Sequence, residues 1–232
     1  PFTREYEAYQ FSFVELKEAK RLYEKVQQWR QKTNDGERVV VSIYGGSGSG
    51  KTTMATALQQ YFLNDGVGCY LLSGDDYPHR IPKRNDEERM RVYKTAGEEG
   101  LRGYLGTPQE IDFNRINEVL AAFHEGNDQI TLKHMGREDG DISYEETDFL
   151  EISVMLLEWT HGGSEYVNGV DLPIFLESSP EETKARRIRR NRDENAASPF
   201  ICRVVELEQE KLDMQREHAG LIVGKDGDVY EQ

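Results

Sequence analysis

Apolar residues recur at helical spacing from the start of the chain: Tyr6, Phe11, Phe13, Leu16, Leu22, Tyr23, Val26 and Trp29 fall between charged positions over residues 3–33. This pattern predicts one or two amphipathic helices that end near Asn34, Asp35 and Gly36, a turn signal. The period then shortens. Residues 39–44, Val-Val-Val-Ser-Ile-Tyr, read as a β-branched buried strand that runs directly into a glycine-rich loop. Helix formers follow from Thr52 to about Leu63, with Asn64, Asp65 and Gly66 as a stop. Residues 69–72 predict a second short strand that ends at Ser73-Gly74-Asp75-Asp76-Tyr77. From 78 to 108 the chain is polar with weak periodicity, whereas 110–124 places Ile111, Ile116, Val119, Leu120 and Phe123 on one helical face. Short strands are expected at 130–133 and 142–144 around a turn at 136–140. Core strands are expected at 152–157, stopping at Glu158, and at 172–176. A helix start at 178–182, a long helix over 198–217 and a fifth strand at 221–223 complete the pattern.

Strands alternating with helices imply an α/β fold with a mainly parallel sheet covered by helices on both faces. The 232 residues fit one domain with a small appendage, here divided as a helical extension (1–36) and a main domain (37–232). The formal net charge of −14 argues against a nucleic-acid or anionic-membrane partner, because such binding neutralises phosphates with cations. No apolar run approaches the ~20 residues of a membrane span and no leader pattern is visible. Cys69 and Cys202 form no metal-ligand or CxxC spacing, which fits a reducing cytoplasm. Self-association is left open.

The densest chemical signal is Gly45-Gly46-Ser47-Gly48-Ser49-Gly50-Lys51-Thr52, a complete G-x-x-x-x-G-K-[ST] phosphate loop between a strand and a helix. Its glycines let backbone N–H groups and the helix N-terminus wrap a phosphate. Lys51 supplies a point charge to the β- and γ-phosphates of ATP, and the Thr52 hydroxyl is placed for Mg²⁺. Asp75 and Asp76 follow the second strand, where ligands bind in open α/β sheets. One of them is expected to take the proton of an attacking hydroxyl and to help hold the metal; the competing role is capping or a solvated turn. Glu158 ends a core strand in the place of a Walker B carboxylate, with a water-bridged Mg²⁺ or a sheet-edge salt bridge as its partner.

Residues 184–192 hold Lys184, Arg186, Arg187, Arg189, Arg190 and Arg192, cations pointing all round a helix. They read as a lid that brings arginine to the transferred phosphoryl group, against a basic helix paired with Glu181, Glu182 and Asp193. The cations of 78–108 (His79, Arg80, Lys83, Arg84, Arg89, Arg91, Lys94 and Arg102) read first as a solvated helical face. Lys133, His134 and Arg137 form a similar weak cluster, and His161 beside Gly162 and Gly163 either faces the site or caps a turn.

With these residues in view, the chain resembles the uridine kinase/phosphoribulokinase family of P-loop kinases. The loop, extended by Thr53, resembles that family's phosphate loop, and Ser73-Gly74-Asp75-Asp76-Tyr77 its strand-end motif, in which the residue matching Asp75 is the catalytic base. Leu156-Leu157-Glu158 resembles its Walker B strand end, Asp112-Phe113 the segment before its substrate-side helix, 185–190 its arginine-bearing lid and Lys225-Asp226 its final strand end. The resemblance covers roughly 38–230 and implies an ATP- and Mg²⁺-dependent kinase acting on a hydroxyl of a sugar, sugar phosphate or nucleoside. It implies Asp75, Lys51 and Arg190 as catalytic. Gly46, Ser47, Gly48, Ser49, Gly50, Thr52, Thr53, Arg187 and Arg192 would bind nucleotide, and Thr52, Glu158 and Asp75 the metal. Trp159 departs from the small residue usual after the Walker B acid, Asn191 from the usual Asp, and 78–108 from any nucleoside-reading pattern. The alternative is a nucleotide-dependent switch or regulatory ATPase; N-K-x-D is absent, and D-x-x-G occurs only at 65–68, before a strand.

Overall fold

A computed structural model describes residues 11–33, 37–178, 183 and 198–232. The chain runs α1 (Phe13–Thr33), β1 (Val39–Gly45), α2 (Lys51–Asn64), β2 (Cys69–Ser73), α3 (Pro82–Tyr104) and α4 (Phe113–His124). It continues with β3 (Gln129–Met135), β4 (Ile142–Asp148), β5 (Val154–Glu158), β6 (Leu172–Leu176), α5 (Pro199–Gln215), β7 (Leu221–Val223) and β8 (Val229–Glu231). Six strands form one sheet in the order β2-β5-β1-β6-β7-β8, parallel except for β8, which runs against β7. β3 and β4 form a separate antiparallel hairpin. Among the described residues no helix is long and apolar enough to cross a membrane.

β1 and β5 are buried at every position, as strands covered on both faces must be. Their alternation sorts side chains between two layers. Val39, Val41, Ile43, Val154, Leu156 and Ile174 meet α1 and α2 through Ala19, Leu22, Val26, Ala55, Leu58 and Phe62. Val40, Met155 and Leu157 meet α4 and the hairpin through Ile116, Val119, Leu120, Phe123, Ile130 and Leu132. α5 covers the rest of this second face, where Leu212 packs with Tyr44, Phe175 and Ile222.

The strands expected from the sequence all form, and the hairpin turns where its glycines fall. Three details differ. The helix expected from 110 starts at Phe113, because Asp112 caps it by accepting from Arg115 N at 3.1 Å while residues 77–79 and 110–112 bond to one another. β8 carries no apolar run, since it is a mostly exposed edge strand held by pairing with β7. The polar stretch from 78 is largely the helix α3, broken at Gly97, whose φ of 68° lies in the left-handed region. Its periodicity is weak because it buries few side chains, Asn85, Leu101 and Tyr104 among them. The predicted helix start at 178–182 falls largely, and the basic run 184–192 wholly, outside the described residues.

Two glycines on one turn separate sterics from backbone strain. A Cβ on Gly68 would stand 1.7 Å from the Glu151 carbonyl oxygen, whereas Gly66 has a φ of 74° and open space around it. Gly68→Ala is therefore expected to destabilise the protein by about 3 kcal/mol or more, since backbone has to move, and Gly66→Ala by about 1 kcal/mol. Urea unfolding midpoints of the two variants would check this order.

Candidate active site

β1 delivers the phosphate loop to the carboxyl edge of the sheet. Gly45, Gly48 and Gly50 take φ values of 150°, 87° and 98°, which side chains other than glycine rarely adopt. A Cβ on Gly45 would also approach Leu176 O at 2.6 Å. The Gly46 carbonyl accepts from Ser49 N and from Lys51 Nζ, both at 3.0 Å, so the lysine lies folded across its own loop. Lys51 is buried, as is Ser49. Thr52 and Thr53 follow in the first turn of α2.

β5 lies between β1 and β2, with Ile43, Glu158 and Ser73 at the same level of the sheet. Glu158 thereby stands between the phosphate loop and the acidic turn. Its Oε2 lies 3.3 Å from Thr52 Oγ1, so two of the three oxygen donors assigned to a metal from the sequence meet in space. The turn that follows β2 is a single 3₁₀ turn, Gly74–Asp76, and it sends its two aspartates in different directions. Asp75 is exposed. Asp76 is buried, and its carboxylate accepts from Met135 N at 3.1 Å with His134 Nδ1 at 3.8 Å. Asp76 therefore ties the turn to the β3–β4 hairpin. Lys133 strengthens this join by donating to Pro78 O at 2.7 Å.

Trp159 is the floor beneath the turn. It is buried, its backbone N–H donates to Ile43 O of β1 at 3.1 Å, and its ring packs against Phe113 and His161. Its ring lies so close to Gly74 that a Cβ there would stand 2.0 Å from Trp159 Cγ. His161 sits edge-on to Trp159 and closes against Gly106, whose φ is 63° and whose Cβ would meet His161 Cε1 at 2.9 Å. His161, read from the sequence as either facing the site or capping a turn, packs against Trp159 and Gly106 with the carboxylates of Glu110 and Asp75 nearby.

Arg89, expected on a solvated face, is instead largely buried between two acids. Nε donates to Glu110 Oε1 at 2.5 Å and Nη2 to Glu208 Oε1 at 2.9 Å. Burial raises the Glu208 carboxyl above its ordinary range against the pull of Arg89 and Lys51. Glu110 is also desolvated, yet Arg89 and the other groups around it hold it below that range. The remaining cations of the stretch behave more as expected. Arg84 and Arg91 form exposed pairs with Asp139, Glu87 and Glu88. Sequence reading missed Glu110 and Glu208 because their partner is distant: Arg89 and Glu208 are 119 residues apart. Arg187, Arg190 and Arg192 lie outside the described residues.

Burial pushes the His161 imidazole down to about 4 from 6.5, against the nearby carboxylates of Glu110 and Asp75. The unfolded chain therefore takes up a proton that the folded chain refuses. The stability this neutral ring contributes is complete above 6.5 and is lost as pH falls toward 4. The slope is at most about 1.4 kcal/mol per pH unit. His161→Gln is expected to flatten stability between these limits, as read from urea midpoints at successive pH values.

A family model described as "Phosphoribulokinase / Uridine kinase family" matches residues 40–198. The chain is 82% identical over all 232 residues to part of the bifunctional alpha-galactosidase/sucrose kinase AgaSK of Mediterraneibacter gnavus, and spans about a quarter (25%) of that protein's length. The fold is similar to that of phosphoribulokinase from Rhodobacter spheroides, with a TM-score of 0.60 and 16% identity over 81% of this chain and 70% of that one. It is also similar to D-glycerate 3-kinase from Cryptococcus neoformans var. grubii, with a TM-score of 0.60 and 11% identity over 96% and 100% of the two chains. A complete phosphate loop, a carboxylate bonded to its threonine, and the family match over most of the chain agree: this chain belongs to the phosphoribulokinase/uridine kinase family of ATP-using P-loop kinases.

Proposed function

We propose that this chain is an ATP- and Mg²⁺-dependent sugar kinase that transfers the γ-phosphoryl group to a hydroxyl of sucrose. The observation that carries the chemistry is the contact between Thr52 and Glu158 beside the exposed Asp75, all at one edge of the sheet. The acceptor is inferred from the relative. The quarter of that bifunctional protein that matches this chain aligns with its phosphate loop and kinase fold, so its sucrose kinase activity is assigned to that quarter.

Thr52 and Glu158 form an all-oxygen donor set suited to Mg²⁺, a hard cation that keeps several waters, and Asp75 is the nearby carboxylate that would complete it. The metal, when bound, neutralises charge on the phosphates. Lys51 leaves the Gly46 carbonyl for the phosphates, and the loop N–H groups hold them against the start of α2. Gly46, Ser47, Gly48, Ser49, Gly50 and Thr53 supply the rest of that cradle. Asp75 takes the proton of the attacking hydroxyl; Asp76, committed to Met135 and His134, does not. His161 borders the acceptor side with a neutral imidazole, which suits sugar hydroxyls, while the buried Trp159 ring behind it fixes the turn that carries Asp75. The part of Arg187, Arg190 and Arg192 in gripping the transferred group rests on their place in the sequence.

ADP release would be measured with sucrose, glucose, fructose, nucleosides and sugar phosphates as acceptors. Release that depends on sucrose is expected. Equal ATP turnover with and without any acceptor would replace this reading with a regulatory ATPase. Asp75→Asn is expected to lower kcat by about 10²–10⁴-fold, the range for a lost general base, with nucleotide affinity little changed. Lys51→Ala is expected to abolish turnover in a folded protein. If Asp76→Asn cripples catalysis while Asp75→Asn is mild, the base is the other aspartate.

A further inference from the structure

Arg89 joins three segments of chain at one guanidinium. It stands on α3, its Nε meets Glu110 in the turn before α4, and its Nη2 meets Glu208 on α5. The side chain is 16% exposed, and those of Glu110 and Glu208 are 1% and 12% exposed. Glu110 is fully occupied: its Oε1 also accepts from Asn85 Nδ2 at 2.9 Å and its Oε2 from Gly106 N at 2.6 Å.

Each arm of this bridge ends at a different part of the site. On the acceptor side, Gly106 bears on His161, and the Glu110 carbonyl accepts from His79 N at 3.0 Å, close behind the Asp75 turn. On the nucleotide side, Gln209, next to Glu208, lays its Oε1 2.7 Å from where a Cβ of Gly46 would stand. α5 thus rests on the phosphate loop, with the Glu208 carboxylate in the field of Lys51.

A purely mechanical join between α3 and α5 does not need this arrangement. Arg203 Nε already donates to Glu98 at 2.9 Å, Arg102 pairs with Glu210, and the Tyr93 and Phe200 rings pack 5.6 Å apart. A buried arginine between two carboxylates has a desolvation cost that apolar packing would avoid, so its return lies in specifying an arrangement rather than in stability. Only a planar fork holds two carboxylates in fixed directions; an ammonium is a point charge.

We propose that Arg89 is a positioning residue that couples the phosphate loop to the acceptor side of the site. Phosphates that draw Lys51 away from Gly46 and Glu208 change the load on α5, and Arg89 passes that change to α3 and to the turn at 105–110. The proposal rests on reading this edge of the sheet as a kinase centre, but its first test needs no acceptor.

Hydrogen exchange of the full chain would be followed with and without a non-hydrolysable ATP analogue. In the wild-type protein the analogue is expected to protect α2 and also α3 and residues 105–110. In Arg89→Lys, which keeps the charge and loses the fork, protection of α2 is expected to persist and the response of α3 to disappear. Arg203→Lys, at a half-buried pair between the same helices, is expected to behave as wild type. With sucrose and ATP, Arg89→Lys is expected to lower kcat about 10- to 10²-fold through misplacement, with the KM for ATP within about threefold. An α3 that does not respond in the wild-type protein, or that responds equally in Arg89→Lys, overturns the coupling. Should Arg89→Lys fail to fold, Glu208→Gln leaves Arg89 on Glu110 and is expected to give the same loss of the α3 response; an unchanged response there overturns the proposal. Exchange that reaches α3 without any sucrose-dependent ADP release would support the coupling and refute the acceptor assignment instead.

Discussion

The order β2-β5-β1 is the constraint on which the site depends. Because β5 is laid down between the other two strands, its last residue lies at the level of Ile43 on one side and Ser73 on the other. The chain beyond Ile43 becomes the phosphate loop, and the chain beyond Ser73 becomes the acidic turn. Glu158 therefore meets Thr52 across one gap and faces the Asp75 turn across the other. No flexible loop has to search for this geometry. It follows from parallel pairing of three strands with buried apolar side chains, and it fails only if the sheet shifts register.

Around that centre the protein spends its polar groups unevenly. Glu158, Lys51, Asp76, Glu110 and Lys133 are all buried, each with a partner or with several. The Arg89 cluster carries charges of both signs in a confined volume, which costs desolvation and demands complete pairing. By contrast, most remaining cations of α3 make exposed pairs, which contribute little to stability and depend on salt. The two kinds are indistinguishable in composition and differ only in what the fold brings to them.

That difference marks how far the sequence could be read. The alternating strands, the hairpin, the phosphate loop and the carboxylates at 75 and 158 were all legible, since each announces itself within a few residues through period or motif. Which aspartate of the pair stays free was not stated by spacing alone; it became visible once Asp76 was seen bonded to Met135 on a distant strand. Arg89 read as one of many surface cations, because its partners come from the 110 turn and from α5. Trp159 stood out in the sequence as a departure after the Walker B acid, but only the packed ring against Gly74 showed what it does.

That packing has a consequence for how this protein can vary. With its Cβ position already filled by the Trp159 ring, Gly74 has no neighbouring substitution that leaves the ring in place. The reverse is less strict, because a smaller residue at 159 would open room at 74. Change is therefore directional: a route to a differently packed turn must begin at position 159, and any branch that begins at 74 is closed. A library that randomises 74 alone would return glycine, while one that randomises both positions would recover pairs absent from either single set.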